Sequence, residues 1–407
     1  SGRYDILCAD PIETLEFRQN RDEGCPFQQL QHLMGRYPCD TTSQDDLPFC
    51  GGIVGLFGYD LGRTIERLPE QAENDMQYPD MLVGLYLWAV VVDHQRQQCE
   101  LVMQPCMDQD KQQHIEQLLL SGPEHSSTPF RLKQPFRANV TETQYHQKLQ
   151  AVDDYIHAGD CYQVNFAQRF TSSYEGDTLD AYLKLRESAP TPFAAYLESP
   201  SGAILSLSPE RFLEVNQRKV VTKPIKGTRP THPDPINNQA EIDDLLNSEK
   251  DRSENLMIVD LLRNDLSKSC ALGSVKVPKL FDLESYANVH HLVSTVTGEL
   301  DEDQDAIQLL RSCFPGGSIT GAPKLRAMEI IEELEPHRRS AYCGSIGYIS
   351  FCGRMDTSIT IRTLLCDQDK IHCWAGGGIV ADSQAADEYQ ETYNKVNNLL
   401  GALEATQ

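Results

Sequence analysis

The sequence lacks the cysteine and histidine spacings that would define a zinc site or a disulfide framework. Its 13 cysteines are scattered, odd in number and without a C-x-x-C pair, which argues against both kinds of site. No H-E-x-x-H or G-x-S-x-G motif occurs either, so neither a zinc-protease helix nor a serine-hydrolase elbow is present. We therefore predict reduced thiols, most of them small core residues, and a cytoplasmic location.

Positive charge and long apolar runs are also scarce. The chain has 60 acidic and 36 basic residues, a net charge of −24, whereas a protein that binds nucleic acid needs a basic face. The longest apolar run, Met81–Val92, falls short of the roughly 20 residues that span a bilayer, and no signal segment opens the sequence. We expect neither nucleic acid nor a membrane as a partner.

The hydrophobic content is 40% over 407 residues, enough for a sizeable core. Short apolar segments lie close enough together for hairpins and are interspersed with helical patterns, so we predict an α+β fold of antiparallel sheet covered by helices. The patterns predict single strands over Met81–Val92 and Thr357–Leu365. They predict one long helix over Gln239–Arg263.

A stretch rich in Ser, Pro, Gly and His lies at Ser121–Thr128 and is typical of a linker. The motif that begins at Thr141 is typical of a helix cap. We therefore divide the chain into an N-terminal region over 1–120, a linker over 121–139 and a main region over 140–407.

A strand-like segment leads into the run Lys223-Pro224-Ile225-Lys226-Gly227-Thr228-Arg229. Pro224 restricts the backbone before it, and Gly227 permits a turn or a close approach. Lys226, held between them, is a candidate nucleophile. The alternative is an ordinary surface lysine in a basic loop.

Two predicted helices each carry a spaced acidic pair. Asp251 and Glu254 are three residues apart and share a helix face, as do Glu388 and Glu391. Four carboxylates from two helices suit a hard cation such as Mg²⁺. The alternative is a pair of solvated acidic faces. The apolar run after Glu254 favours a buried helix, where acidic groups need a partner.

Glycine-rich segments and an arginine are candidate anion contacts. The run from Gly316 to Lys324 enters a helix with Pro323 in its first turn, which is typical of an anion site. The run Ala375-Gly376-Gly377-Gly378 ends a predicted strand and offers free backbone N–H groups to a carboxylate. Arg362 alternates with apolar neighbours on a predicted strand and is suited to a bidentate carboxylate contact. The alternatives are tight turns and a structural ion pair.

Two further residues are candidates for proton transfer. Glu210 follows a strongly apolar strand, so burial would raise its pKa and make it a general acid. An ion pair with Arg211 is the alternative. The pair His290-His291 is suited to polarising a hydroxyl, although such a histidine is more often a hydrogen-bonded core residue.

Taken together, these segments resemble the chorismate-utilising enzymes. The resemblance covers nearly the whole chain and implies one large unit, the anthranilate synthase component I-like fold, in which two antiparallel sheets pack face to face with helices outside. In that fold the regions 1–120 and 140–407 are intertwined. The matching stretches are Gly159–Asn165, Ser208–Arg211, Pro224–Thr228, Ser253–Leu261, Gly316–Lys324, Arg362, Gly376–Gly378 and Glu388–Thr392.

Two positions separate the branches of this family. Anthranilate synthases resemble the chain but carry alanine where Lys226 stands. Isochorismate and salicylate synthases carry a water-activating lysine where Gln163 stands. Lys226 with Gln163 is the combination of the aminodeoxychorismate synthase branch, which serves p-aminobenzoate and folate biosynthesis.

The resemblance implies a covalent mechanism. The Lys226 amine would attack C2 of chorismate while Glu210 helps the C4 hydroxyl leave, and ammonia would then attack C4 and expel the lysine. The amine must be neutral to attack, which neighbouring Lys223 or Arg229, or burial, would favour. The implied Mg²⁺ ligands are Glu254 and Glu391, with Asp251 and Glu388 holding waters. His291 is implied as a third catalytic residue, near the C4 hydroxyl. The implied substrate contacts are Thr228, Lys324, Tyr342, Arg362, Gly376, Gly377 and Gly378.

The resemblance also implies partners. Family members obtain ammonia from a separate glutaminase subunit, and no glutaminase-like cysteine elbow occurs here. Two alternatives remain: an anthranilate synthase component I, and a catalytically silent tryptophan-binding scaffold subunit. Many members bind tryptophan, and the corresponding pocket would comprise Ser1, Tyr162, Asn165, Pro192 and Phe193.

Overall fold

Antiparallel strands form the framework of the protein, and helices lie outside them. The computed structural model describes residues 2–37, 47–122, 128–286 and 289–405. The helices are α1 (Pro26–Gly35), α2 (Gln109–Leu120), α3 (Glu142–Ala158), α4 (Thr178–Ser188), α5 (Pro235–Asn247), α6 (Glu249–Ser267), α7 (Ala306–Cys313), α8 (Lys324–Leu334) and α9 (Ala385–Glu404).

The strands are numbered along the chain in the same way. They are β1 (Tyr4–Leu7), β2 (Glu13–Phe17), β3 (Gly52–Phe57), β4 (Met81–Tyr86), β5 (Trp88–Asp93), β6 (Gln98–Met103), β7 (Arg131–Leu132), β8 (Arg137–Ala138), β9 (Gln163–Glu175), β10 (Phe193–Ser199), β11 (Gly202–Ser208), β12 (Arg211–Asn216), β13 (Lys219–Thr222), β14 (Ile225–Pro230), β15 (Lys276–Ser285), β16 (Val289–Glu299), β17 (Gly321–Ala322), β18 (Ser345–Ser350), β19 (Met355–Ile359), β20 (Thr363–Asp367) and β21 (Lys370–Ile379).

Two large sheets carry most of these strands. A ten-stranded sheet has the order β14-β16-β13-β12-β19-β18-β3-β4-β2, with β15 also paired to β16. An eight-stranded sheet has the order β10-β11-β20-β21-β9-β17, with β7 and β8 added to β9. Strands β1, β5 and β6 form a small third sheet that the sequence did not predict. The predicted α+β class is confirmed.

The largest core lies between the two large sheets. It joins Leu56 of the ten-stranded sheet with Ile204 and Leu365 of the eight-stranded sheet. The adjacent residues Leu205 and Leu364 belong to a second core under α4 and α9, because side chains alternate between the two faces of a strand. The sheets therefore pack face to face with helices outside.

Three predicted elements are each two elements in the structure. Met81–Val92 divides into β4 and β5, and Thr357–Leu365 contains parts of β19 and β20; each time the two strands belong to different sheets. The predicted helix over Gln239–Arg263 breaks into α5 and α6 at Ser248, whose hydroxyl accepts the N–H of Asp251 at 3.2 Å. An apolar pattern shows that a segment is buried, but it does not show where the chain passes from one sheet to another. Breaks of this kind therefore cannot be predicted within a continuously buried segment.

The two regions defined from the sequence share one framework. Strands β2, β3 and β4 of the N-terminal region lie in the same sheet as β12, β18 and β19. Within the predicted linker, β7 and β8 pair with β9, so this part of the linker is ordered sheet. No helix in the described ranges is both long and apolar enough to cross a membrane.

Candidate active site

Lys226 lies on the edge strand β14, whose pairing with β16 contains a bulge. At the bulge Gly227 has φ +84°, and a Cβ there would lie 3.0 Å from the side chain of Asp251, so glycine is required. Lys226 Nζ donates to the carbonyl oxygen of Ser318 at 3.3 Å. The lysine is therefore fixed on a bulged strand and is not a loop residue.

The two neighbouring cations are both neutralised by carboxylates. Lys223 Nζ lies 2.9 Å from Glu284, and Arg229 lies 3.2 Å from Asp251. Neither supplies an unbalanced positive charge beside Lys226, which was one of the possibilities that the sequence left open.

Glu210 lies in the short connection between β11 and β12 and is only 6% exposed. Burial raises the pKa of its carboxyl, opposed by the Ser318 hydroxyl, the Lys226 ammonium and the Ile225 amide. Arg211 is not its partner, because it pairs with a carboxylate of β19 at 3.0 Å. A buried carboxyl with a raised pKa can hold a proton and donate it, as predicted.

His291 is the histidine of the pair that lies beside these groups. Its Nδ1 is 2.9 Å from the Thr228 hydroxyl. Burial lowers the pKa of His291 to about 4, and Arg362 acts in the same direction, so the ring is neutral near pH 7. His290 is held by the Ser285 hydroxyl at 2.8 Å and is the hydrogen-bonded core residue.

Arg362 and Tyr342 come from neighbouring turns. Arg362 has φ +50° and stands between β19 and β20, which corrects the prediction that it alternates along one strand. Burial lowers its pKa, and within the described ranges no carboxylate pairs with its guanidinium. The Cys343 amide donates to the carbonyl of Thr360 at 3.0 Å, which places Tyr342 beside this turn. The Tyr342 ring stacks on Trp374.

The glycines Gly376–Gly378 lie at the end of β21, as the sequence predicted. They pair with β9 opposite Ala167 and Asn165, whose amides bond elsewhere at 2.9 and 2.8 Å. Gly376 and Gly378 therefore occupy non-hydrogen-bonded positions of the ladder, and their N–H groups point away from β9. On that side the pairing of β20 stops at Cys373, so both N–H groups face an open strand edge.

The acidic pair of α9 lies over this glycine segment. A Cβ at Gly377 would lie 2.9 Å from Glu388 Oε2 and 3.7 Å from Glu391 Oε1. Lys250 Nζ is 3.5 Å from Glu388, and Lys395 Nζ is 2.5 Å from Glu391. Burial acts to raise the pKa of Glu391, but the nearby Lys395 ammonium acts against it, and the pKa is lowered. Glycine at position 377 therefore leaves room for two carboxylates.

The acidic pair of α6 meets the pair of α9. Burial raises the pKa of Glu254, and the nearby carboxylates Asp251 and Glu388 raise it further. Lys226 and Lys250 oppose this shift. Because these charged groups are close enough to affect the pKa of Glu254, both acidic pairs and Lys226 lie around one site.

The donor set of this site fits Mg²⁺. Among the described residues, no group of three or more His, Cys, Asp or Glu side chains is placed to hold a metal ion. Mg²⁺ does not require one, because it commonly takes one or two carboxylates and keeps several waters. Glu254 and Glu391 can supply such a pair from facing helices.

Comparison with known proteins agrees with this geometry. Residues 1–401 match the family model described as chorismate binding enzyme. The chain belongs to the chorismate-binding enzyme family. It is 51% identical over 414 residues to aminodeoxychorismate synthase component 1 of Escherichia coli K12, with 99% of this chain and 90% of the relative covered.

Members of the anthranilate branch are also similar. The chain is 39% identical to anthranilate synthase component 1 of Thermus thermophilus, with 92% of this chain and 82% of the relative covered. A crystal structure of anthranilate synthase component I from Streptococcus pneumoniae has a TM-score of 0.86 at 30% identity, with 98% and 92% covered. The predicted anthranilate synthase component I-like fold is confirmed for this chorismate-binding enzyme.

The structure does not bring Lys324 to the site. Its Nζ lies 2.5 Å from Asp265 and 3.1 Å from the carbonyl of Cys313. Asp265 and Glu254 are eleven residues apart on α6, or roughly 16 Å along the helix. Lys324 is thus a structural ion-pair residue, and Pro323 is the N-cap of α8, not a residue of its first turn.

The residues of the expected tryptophan pocket are also separated. Ser1 lies outside the described residues. Phe193 on β10 and Asn165 on β9 lie in one sheet with three strands between them, a spacing of roughly 19 Å. Tyr162 is 72% exposed. The structure therefore does not bring Tyr162 and Asn165 into one pocket with Pro192 and Phe193.

Three residues of the site were missed from the sequence. Ser318 touches both Lys226 and Glu210, and its position inside a glycine-rich run was the available signal. Lys395 stands four residues after Glu391 on α9, a spacing that predicts contact. Lys250 precedes the acidic pair of α6, and nothing in its local pattern indicates the contact with α9.

Proposed function

We propose that this chain is the chorismate-converting component of an aminodeoxychorismate synthase, which replaces the C4 hydroxyl of chorismate with an amino group from ammonia. The proposal rests on one observation: Lys226 and buried Glu210 both contact the same residue, Ser318. A nucleophile and a general acid are thereby held side by side. The 51% identity to a relative named aminodeoxychorismate synthase component 1 supports this assignment.

In the first step the Lys226 amine adds to C2 of chorismate. The ring π electrons shift and the C4–O bond breaks. Glu210 gives its proton to the departing hydroxyl, which leaves as water; burial raises the pKa of Glu210 and so favours its protonated form. In the second step ammonia adds to C4, the electrons shift back and the C2–N bond to Lys226 breaks. The product is 4-amino-4-deoxychorismate and the amine is regenerated.

The neighbouring residues bind and orient the ring. His291, neutral and held by Thr228, is placed to hydrogen-bond the C4 hydroxyl without adding charge. Arg362 and Tyr342 are assigned to the enolpyruvyl carboxylate, because Arg362 is buried without a carboxylate partner in the described ranges. Desolvation strengthens such a contact.

Glu254 and Glu391 are assigned as Mg²⁺ ligands, with Asp251 and Glu388 holding its waters. When bound, the metal would neutralise the ring carboxylate of chorismate. The open-edge amides of the Gly376–Gly378 segment lie under the same carboxylates and would donate to that group. Gly377 is needed so that the helix α9 carboxylates can approach the strand.

The ammonia source is assigned to a glutaminase partner. The relatives at 51% identity are named component 1, which is consistent with a separate component. A cytoplasmic location is consistent with the free thiols found at all described cysteines. Whether tryptophan is bound is left to direct binding measurement.

The deciding experiment supplies the purified chain with chorismate and Mg²⁺. Ammonium salts at high pH are expected to give 4-amino-4-deoxychorismate, and glutamine alone is expected to give none. Free anthranilate as the product would instead identify an anthranilate synthase, and absence of turnover would favour the scaffold alternative. Product formation from glutamine by the isolated chain would refute the need for a partner.

A further inference from the structure

A pair of cysteines lies outside the candidate active site, where β3 and β18 meet the small sheet. The register of these two strands ends with Gly52 opposite Ser350. The Phe351 amide continues the ladder with a bond to the Gly51 carbonyl at 2.9 Å. Cys50 precedes this segment of β3, and Cys352 lies in the turn that follows β18.

The two sulfur atoms share one hydrogen-bond partner. One hydroxyl, that of Ser350, lies 3.2 Å from Cys50 Sγ and 3.3 Å from Cys352 Sγ, so both thiols point into the same space.

The two thiols differ in access and acidity. Cys50 is buried, whereas Cys352 is partly exposed in the turn between β18 and β19. The hydrogen bond from Cys50 holds the pKa of Cys352 below its usual range, with help from Ser350 and the Arg354 amide, although burial opposes the shift. A partly exposed thiolate next to a second thiol is the arrangement of an oxidation-sensitive pair.

We propose that Cys50 and Cys352 are a redox-active pair that hydrogen peroxide converts to a disulfide. The Cys352 thiolate attacks one peroxide oxygen, the O–O bond breaks, and sulfenic acid forms with release of one water. The Cys50 sulfur then attacks the Cys352 sulfur, the S–O bond breaks, and a second water leaves. Two thiols lose two electrons and two protons, and peroxide is reduced to two waters.

Peptide mapping of the full chain tests this. Reduced protein, freed of reductant, is treated with a few equivalents of hydrogen peroxide at pH 7, alkylated and digested without reductant. We expect a linked peptide containing Cys50 and Cys352, with about 2 Da less than the sum of the free peptides, that dithiothreitol separates. It should form roughly tenfold faster than Cys99, an exposed cysteine, is oxidised.

Two variants define the order of events. Cys50→Ser removes the second thiol but keeps a hydrogen-bond donor beside Cys352, so a dimedone-labelled sulfenic acid should accumulate at Cys352. Cys99→Ser is the matched control and should keep the cross-link. Recovery of both cysteines as alkylated thiols, or linkage of Cys352 to another cysteine, would overturn the proposal in the wild-type chain, whether or not Cys50→Ser folds. Absence of dimedone at Cys352 in folded Cys50→Ser would also overturn it.

Discussion

The hydroxyl of Thr228 and the Nδ1 of His291 are 2.9 Å apart and belong to register partners on adjacent strands. This contact joins the strand that carries the lysine to the strand that carries the histidine. It fixes the ring at Nδ1 and leaves Nε2 as the position for a substrate hydroxyl. Protonation of the His291 ring has a measurable consequence for the stability of the folded protein.

We predict that His291 makes the folded state lose stability as the pH falls. Its pKa is about 4 in the folded protein and about 6.5 when unfolded, so only the unfolded chain gains a proton between these values. The loss should approach about 3 kcal/mol at pH 4. Above pH 6.5 the full stability is present, and below pH 4 the effect levels off.

Urea unfolding of the wild type and of His291→Gln between pH 6.5 and 4 measures this. The variant should show a flatter dependence of unfolding free energy on pH. His114→Gln, a change of an exposed histidine on α2, is the control and should retain the wild-type slope. Equal slopes in all three proteins would mean that His291 is not the titrating group.

Lys226→Ala should leave a folded protein that has lost C4 amination. Removing the covalent route should lower kcat/KM by a factor on the order of 10² or more. Among the described residues, no other amine contacts Ser318 in the position of Lys226. Lys219→Ala, an exposed change on β13, should be active. Product analysis by chromatography also detects any drift toward anthranilate. Near-normal C4 amination by Lys226→Ala would reduce Lys226 to an electrostatic role.

Ser318 should set the pH range over which Glu210 acts as an acid. Its hydroxyl favours the charged carboxylate, so Ser318→Ala should raise the pKa of Glu210 further and move the alkaline limb of kcat/KM to higher pH. Ser318→Thr keeps the hydroxyl and should restore the original profile. A uniform loss of rate with an unmoved limb in Ser318→Ala would indicate only a structural role.

With Glu391 as a proposed Mg²⁺ ligand, Glu391→Ala should weaken Mg²⁺ and chorismate binding together, because the metal would bridge carboxylate and substrate. Removing one of two ligands is expected to cost about tenfold or more in Mg²⁺ affinity, measured by calorimetry without substrate. Asp387→Ala, an exposed acidic change on the same helix, is the control. Wild-type Mg²⁺ dependence in Glu391→Ala would show that the metal site is elsewhere.

Local chemistry was readable from the sequence, and long-range placement was not. The cap at Thr141 forms a full capping box with Gln144, since both partners lie within one helical turn. The i,i+3 spacing correctly put each acidic pair on one helix face. The conformation of Arg362, in contrast, depends on β19 and β20 joining different sheets.

Two further predicted placements fail for the same reason. Lys324 sits in a motif typical of anion binding, yet its partner Asp265 comes from another helix. Phe193 and Asn165 were assigned to one pocket, but three strands lie between their strands in the sheet. Motif identity alone does not fix which neighbour a side chain meets, because that depends on strand order.

The pairing of β3 with β18 constrains how the molecule is made. Phe57 is the register partner of Ser345, so a ribosome must add roughly 290 residues after β3 before that ladder can close, and such non-local pairing slows folding. Until then β3 presents an unpaired, almost fully apolar edge, which is a template for aggregation. The nascent chain therefore exposes this edge until β18 has been made, and an isolated fragment ending before β18 should not reach the native sheet.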